Sequence, residues 1–446
     1  MNMKSLIWAG LALSLLCLGG CNNLKYDVGG TVTGLSGSGL SGSGLVLEDN
    51  GADNLSVTLN GTFAFGTGVK NGDVYAVTVA TEPSNPTQTC TVYNGSGTID
   101  KAAITHVIVT CTQAGQYAWV ANQTSNDISA YAIDSTTGFL TQVAGSPFAA
   151  NGSTPTGIAV DPNGQYVYIA NNGSNTVGVY SVDSTTGALS EIGATVTTQS
   201  GPVALTVDPS DSYLYVANQA SNDISGYSIA SGGLTEISGS PFAVGADPIA
   251  LRTDPGSNYL YVANYSDGTV SVLAIDPSTG ALTSIAGSPF GAGAGATSIA
   301  IDPTGTYAYV ANIGAATISA FTITLDAGAL TPISGSPFST GSGAESIAVD
   351  PAGAHIYAAD ATAANEIAAY TIYPSSGALT STGASVGAGA LPIFVTIDPA
   401  GTFAYVANGN SNDVSVYSIS TGTGLLSAAG GSPFATDRGP RSIAIH

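Results

Sequence analysis

Thr156-Gly-Ile-Ala-Val-Asp-Pro-Asn-Gly-Gln-Tyr-Val-Tyr-Ile-Ala-Asn-Asn-Gly-Ser-Asn-Thr-Val-Gly-Val-Tyr-Ser-Val-Asp183, followed by Ser184-Thr-Thr-Gly-Ala-Leu189, decides the fold. It holds four short apolar or alternating runs, at 158–160, 166–170, 177–182 and from Ala188 onward. That is the pattern of a four-stranded antiparallel meander, with strands a to d in chain order. Asp161-Pro-Asn-Gly164 and Asp183-Ser-Thr-Thr-Gly187 mark the breaks. Pro presets φ for a turn and Gly accepts positive φ. No part of the stretch reads as a helix.

The same stretch recurs with its strand-b anchor at Tyr117, Tyr166, Tyr213, Tyr259, Tyr307, His355 and Phe403, a period of 46 to 49 residues. A period of that length means an array of supersecondary units. A linear solenoid needs caps whereas a propeller closes on itself, and the two ends of the array distinguish them. The first copy begins at strand b, from Tyr117, and the last residues, Ser442-Ile-Ala-Ile-His446, match strand a. One blade therefore takes strand a from the C-terminus and strands b to d from Tyr117 to about Phe148. The expected fold is all-β: a seven-bladed β-propeller over 116–446 whose C-terminal strand closes the first blade, preceded by a small β-sandwich-like domain.

Ahead of the array, Met1-Asn-Met-Lys4 is a short basic start, 6–18 an apolar stretch and Leu18-Gly-Gly-Cys21 a small-residue cleavage site. The apolar run is too short for a good transmembrane helix. The segment resembles a bacterial lipoprotein signal, which implies a leader over 1–20 and a lipid-bearing Cys21 anchored to a membrane without spanning it. The alternative is an ordinary signal peptide with an incidental cysteine. Either way an exported chain is expected, in the cell envelope on the lipoprotein reading. Cys90 and Cys111 remain in the mature chain, and an oxidising compartment permits their pairing; two buried free thiols are the other reading.

The segment 21–115 reads as a spacer domain of alternating strands around Gly29-Gly-Thr-Val-Thr-Gly34, 45–47, 55–59, 63–65, 75–79 and 106–110. Asn-Gly and Gly-rich turns separate them, at a size suited to a small sandwich. The doubled Leu-Ser-Gly-Ser-Gly between Leu35 and Gly44 reads as a flexible loop.

There are 29 acidic residues against 7 basic ones, a formal net charge of −22. Such a surface repels phosphate backbones and excludes nucleic-acid binding. Strand edges lack protective Lys, which favours ring closure as the safeguard against edge pairing. A monomer is expected.

Tyr213-Leu-Tyr-Val-Ala-Asn218, Tyr259-Leu-Tyr-Val-Ala-Asn264 and Tyr307-Ala-Tyr-Val-Ala-Asn312, with their preceding Asp-Pro turns, resemble the YVTN-type, lactonase-like seven-bladed propellers over about three quarters of the chain. That family includes 6-phosphogluconolactonase-like enzymes, so the resemblance implies lactone hydrolysis as an activity. It also implies a site around the central channel, on the face of the d–a and b–c loops, where Gly-Pro-Arg-His precedes strand a. Gly439-Pro-Arg441-Ser442 keeps that Arg and lacks the His.

The residues themselves supply few catalytic groups. His355 occupies the Tyr/Phe column of strand b, His446 stands where other blades carry a turn Asp, and His106 lies outside the ring, so the three do not make a zinc set. Arg252 interrupts a column of Ala and Thr and needs a partner, for which Asp247 and Glu345 are candidates. Arg441 and Glu345 share one column and should face the channel mouth. Asn122, Asn171, Asn218, Asn264, Asn312 and Asn408, with Asp360, end strand b in every blade and read as architecture. Asp127, Asp223, Asp267, Glu366 and Asp413 in the b–c loops could gather Ca²⁺, yet they lack EF-hand spacing and read as a solvated face; otherwise no cofactor is expected. Five copies of Gly-Ser-Pro-Phe, at 145–148, 239–242, 287–290, 335–338 and 431–434, are expected to pack their Phe between blades.

The functional expectation is a lipid-anchored envelope propeller that presents a scaffold to an envelope protein or glycan, with membrane contact through Cys21. The alternative is a lactone hydrolase, with Arg441, Glu345, Arg252 and His446 as the candidate site residues.

Overall fold

A computed structural model describes residues 24–33, 35, 44–83, 88–113, 115–362 and 364–446. The expected leader, Cys21 and most of the doubled Ser-Gly stretch lie outside the described residues. The chain forms two compact units, the first ending at Ala114 and the second running Gly115–His446.

The first unit stacks two four-stranded sheets over one core. Gly61–Ala64, Val28–Thr33, Ile104–Gln113 and Gln88–Tyr93 form one; Asp53–Val57, Leu45–Asp49, Val74–Thr81 and Ser96–Thr98 form the other. Val28, Val32, Leu45, Leu47, Val77, Val107 and Val109 fill the space between them. The sequence reading missed Gln88–Tyr93 and Ser96–Thr98, which are short and crowded by Pro, Asn and Gly. Gly30 is required: a Cβ there would meet the Val107 carbonyl oxygen at 1.8 Å. Cys90 and Cys111 sit directly opposite on paired strands and are disulfide-bonded.

The second unit is a ring of seven antiparallel blades. Pro440–Ile445 pairs with Gln116–Asn122, so the C-terminal strand is strand a of the first blade. The amide of Tyr117 donates to the His446 carbonyl at 2.9 Å, and the His446 amide donates to Tyr117 at 3.1 Å. Strand a of every blade lies innermost, beside strand a of its neighbours. Cores form between blades rather than within them: Trp119 and Ile128 of the first blade pack with Ile158, Val167 and Tyr180 of the second. Each such fully buried aliphatic side chain stabilises by roughly 1.5–3 kcal/mol.

The repeated turn residues build the seams. In the c–d turn, Gly187, Gly280, Gly328, Gly377 and Gly424 have positive φ, and a Cβ would strike the strand-b anchor ring of the preceding blade: Tyr117, Tyr213, Tyr259, Tyr307 and His355 respectively, at 2.2 to 2.5 Å. The next aromatic along strand b latches the same glycine. Trp119 Nε1 donates to the Gly187 carbonyl at 3.0 Å, Tyr215 to Gly280 at 2.8 Å, Tyr261 to Gly328 at 3.1 Å and Tyr309 to Gly377 at 3.0 Å. Tyr168 bonds Gly232 more weakly at 3.4 Å, while the buried hydroxyls of Tyr357 and Tyr405 have no partner.

In the five blades that carry Gly-Ser-Pro-Phe, the motif spans the break between the two pieces of strand d. Its Ser-Pro bond is cis in all five copies. Strand c would lose a backbone partner at the break, and the Ser hydroxyl supplies it: Ala130 N donates to Ser146 Oγ at 2.8 Å, and Val272 N to Ser288 Oγ at 2.9 Å. Each Phe then rejoins strand c and packs at the seam with the following blade, as Phe148 does opposite Ile128. In the second blade Val196 takes that place opposite Val177. The sixth blade has an unbroken strand, Leu379–Gly387, and needs no such repair.

Candidate functional site

The seven innermost strands enclose a cavity of about 570 Å³ on the ring axis, bordered at one end by d–a and b–c loops. The second residue of each strand a forms one level of its wall: Arg441, Thr156, Val203, Ile249, Thr297, Glu345 and Ile393. A shift in strand register between the first and third residues sets this level apart, because the residue there is left out of the ladder with strand b. Arg441 and Glu345 are the only charged groups on it. Burial pushes the Glu345 carboxyl above its ordinary value, and the positive charge of Arg441 partly offsets that rise.

Five of the wall's hydroxyls are occupied by ring cohesion. Ser442 Oγ donates to the Thr156 carbonyl at 2.9 Å, Thr156 Oγ1 to Pro202 at 3.1 Å and Thr297 Oγ1 to Ala344 at 3.1 Å. Ser298 and Ser346 Oγ accept the amides of Ile347 and Val395 at 3.2 Å. All five link adjacent blades, so none is poised as a nucleophile.

Arg252 stands three residues further along its strand than this level. Its side chain is open to the lumen while seven strands ring it, and that confinement lowers the guanidinium pKa from its ordinary value. Arginine's affinity for the proton is high enough that the group stays charged at neutral pH. Nη1 donates to the Leu251 carbonyl at 3.1 Å. The expected partners do not reach it. Asp247 accepts a hydrogen bond from Ser266 Oγ at 3.0 Å instead, and among the described residues the one ion pair is His355 with Asp350.

Arg252, Glu345, Arg441 and Asp247 thus share one cavity, and His446 is not with them. Its ring packs against the second blade's a–b turn, where a Cβ on Gly164 would meet it at 2.3 Å and Nε2 lies 3.3 Å from the Pro162 carbonyl. His355 is buried, with Nδ1 2.9 Å from Asp350 Oδ2 and its ring over Gly424. His106 belongs to the first unit, 3.5 Å from the Tyr75 hydroxyl.

Tyr265 and Gln219, from b–c loops, also border the cavity, and Tyr265 is 40% exposed. Sequence reasoning passed over Tyr265. The signal was there: it follows the strand-b Asn where other blades place Gln, Asn, Ile, Ala or Gly.

The Asn ring is architectural in its bonds. Asn122 Nδ2 donates to Asp127 and Ser129, and Asn408 Nδ2 to Asp413 and Ser415, at 2.7 to 2.9 Å. Asp223 is held likewise by Asn218 at 2.8 Å, Asp267 takes the Ala246 amide at 2.7 Å and Glu366 the Ser385 hydroxyl at 2.6 Å. The loop carboxylates are therefore tied to their own blades, and no cluster of three metal-ligating side chains forms among the described residues.

Comparison with known proteins places this geometry. The family model described as "Lactonase, 7-bladed beta-propeller" matches residues 106–244, 227–344 and 273–437. No curated protein matches the chain. Among solved structures, a candidate 6-phosphogluconolactonase from Bacteroides uniformis is 20% identical with a TM-score of 0.67, over 75% of this chain and 100% of that one. One from Bacteroides fragilis is 21% identical with a TM-score of 0.65, over 75% and 98%. The periplasmic gluconolactonase of Pseudomonas aeruginosa is 18% identical with a TM-score of 0.64, over 74% and 99%. At these identities the structural likeness is one of fold. The family match spans nearly the whole ring, and the chain belongs to the seven-bladed β-propeller lactonase family.

Proposed function

We propose that the chain hydrolyses a small sugar lactone in the lumen, with Glu345 as general base and Arg441 as the cation facing the developing oxyanion. The observation that carries this reading is the pairing of one raised-pKa carboxylate and one guanidinium on a single, otherwise uncharged level of the cavity wall. Burial strengthens Glu345 as a base near neutral pH. Glu345 takes a proton from water as its oxygen bonds to the lactone carbonyl carbon. Arg441 offsets the charge on the tetrahedral oxygen. The ring C–O bond then breaks, the leaving alkoxide takes the proton from Glu345, and the hydroxy acid departs as the carboxylate after giving its carboxyl proton to water.

Hydrolysis of D-glucono-1,5-lactone, followed by acid release, tests this. Glu345→Gln should lower kcat by at least about 100-fold, the ordinary worth of a general base. Unchanged turnover in that variant would overturn the assignment. The second reading, a ligand-binding scaffold without chemistry, is favoured by the absence of a histidine from the described residues of the cavity wall and by the engagement of five of its hydroxyls in ring cohesion. It predicts a ligand-induced rise in Tm with no turnover.

We also propose an exported, lipid-anchored location. The Cys90–Cys111 disulfide supports an oxidising compartment, and Leu18-Gly-Gly-Cys21 supports the anchor. Metabolic labelling with an alkynyl fatty acid should mark the wild type and spare Cys21→Ser.

A further inference from the structure

We propose that Arg252 forms a carboxylate-binding subsite inside the channel, one level removed from Glu345 and Arg441. Of the five N–H donors of a guanidinium, the structure engages one, with the carbonyl of the preceding residue. No carboxylate lies within ion-pair distance of it among the described residues. The rest of its column is Ala159, Thr206, Ala300, Ala348, Thr396 and Ala444. In a propeller with three basic side chains against a strongly acidic whole, a cation facing the lumen without a structural partner is open to a ligand.

The chemistry selects a carboxylate over a phosphate. A phosphate dianion concentrates two negative charges at one point, whereas each of the two levels holds a single arginine and Asp247 and Glu345 line the same cavity. A planar, singly charged carboxylate matches the fork of one guanidinium through two parallel hydrogen bonds. Three residues of extended chain separate the two arginine levels by about 10 Å along the axis. A six-carbon sugar acid spans that interval, so D-glucarate, with a carboxylate at each end, can address both. Binding at Arg252 needs no turnover, so a protein inert toward lactones can still show it.

Titration calorimetry with D-glucarate, D-gluconate and inorganic phosphate tests the subsite on the folded propeller. Arg252→Met should weaken D-glucarate at least about tenfold, the scale of a lost charge-assisted pair. It should also leave the ligand-free Tm unchanged or raised, because an uncompensated confined cation is removed. Arg252→Lys, which keeps the charge and loses the fork, should fall between. Arg438→Met removes a charge from an exposed loop and should bind as the wild type does. Undiminished D-glucarate binding in Arg252→Met overturns the subsite. Phosphate binding as tightly as D-glucarate overturns the carboxylate assignment. A lowered ligand-free Tm in both Arg252 variants would assign the residue to structure instead.

Discussion

The seams between blades and the lumen wall descend from the same repeat, yet they treat it oppositely. At the seams the pattern of aromatic ring on glycine recurs around the ring, with His355 and Phe403 as the only departures from tyrosine in strand b's first column. On the lumen wall Arg441, Glu345 and Arg252 each occur once, among neighbours that are apolar or small. What every blade repeats is what the ring needs in order to close. What one blade alone carries is free to serve a ligand.

Breaking a seam should have the largest effect. Gly280→Ala places a Cβ 2.3 Å from the Tyr213 ring at a φ of +72°. Backbone strain and overpacking together should lower stability by about 2–4 kcal/mol. Gly193→Ala has comparable φ but open space around it, and should cost only about 1 kcal/mol. Equal losses in urea denaturation would mean that the seam contact adds nothing.

The latches sharpen the comparison. Tyr215→Phe deletes the bond to the Gly280 carbonyl and should destabilise by about 1 kcal/mol. Tyr357→Phe removes a buried hydroxyl that has no partner and should be neutral or stabilising. A matching loss in both variants would show that the seam between the sixth and seventh blades is latched like the others.

The smallest effect is expected on the lumen wall, and it depends on pH. The folded-state pKa of Glu345 lies above the ordinary 4.5. Below that value both states hold the proton and the residue is neutral to stability. As pH rises through the window between the ordinary and the raised pKa, the unfolded chain ionises more readily and the folded state loses ground. Glu345→Gln should therefore raise Tm at neutral pH and converge with wild type in acid. Convergence at neutral pH instead would contradict the burial of this carboxylate.

The same contrast explains what was legible in the sequence. Seven aligned copies disclosed the blade order, the closing strand and the packing role of His355, because each column is in effect observed several times. The Ser of Gly-Ser-Pro-Phe escaped, since its partner is a strand-c amide that no side-chain pattern marks. Arg252 was visible as an exception, but its expected partner was misplaced: strand position fixes the level of a side chain in the lumen, not its reach across the lumen. His446 looked eligible as a lone titratable group near the closing strand, yet the strand's direction carries it to the a–b turns and away from Arg441.

Arg441 lies on the strand that closes the ring, Pro440–Ile445. The guanidinium of the proposed site therefore reaches the lumen only when the first and last parts of the propeller have met. A chain cut short of that strand would have neither a sealed edge nor a complete wall, so ligand binding can report topological closure directly.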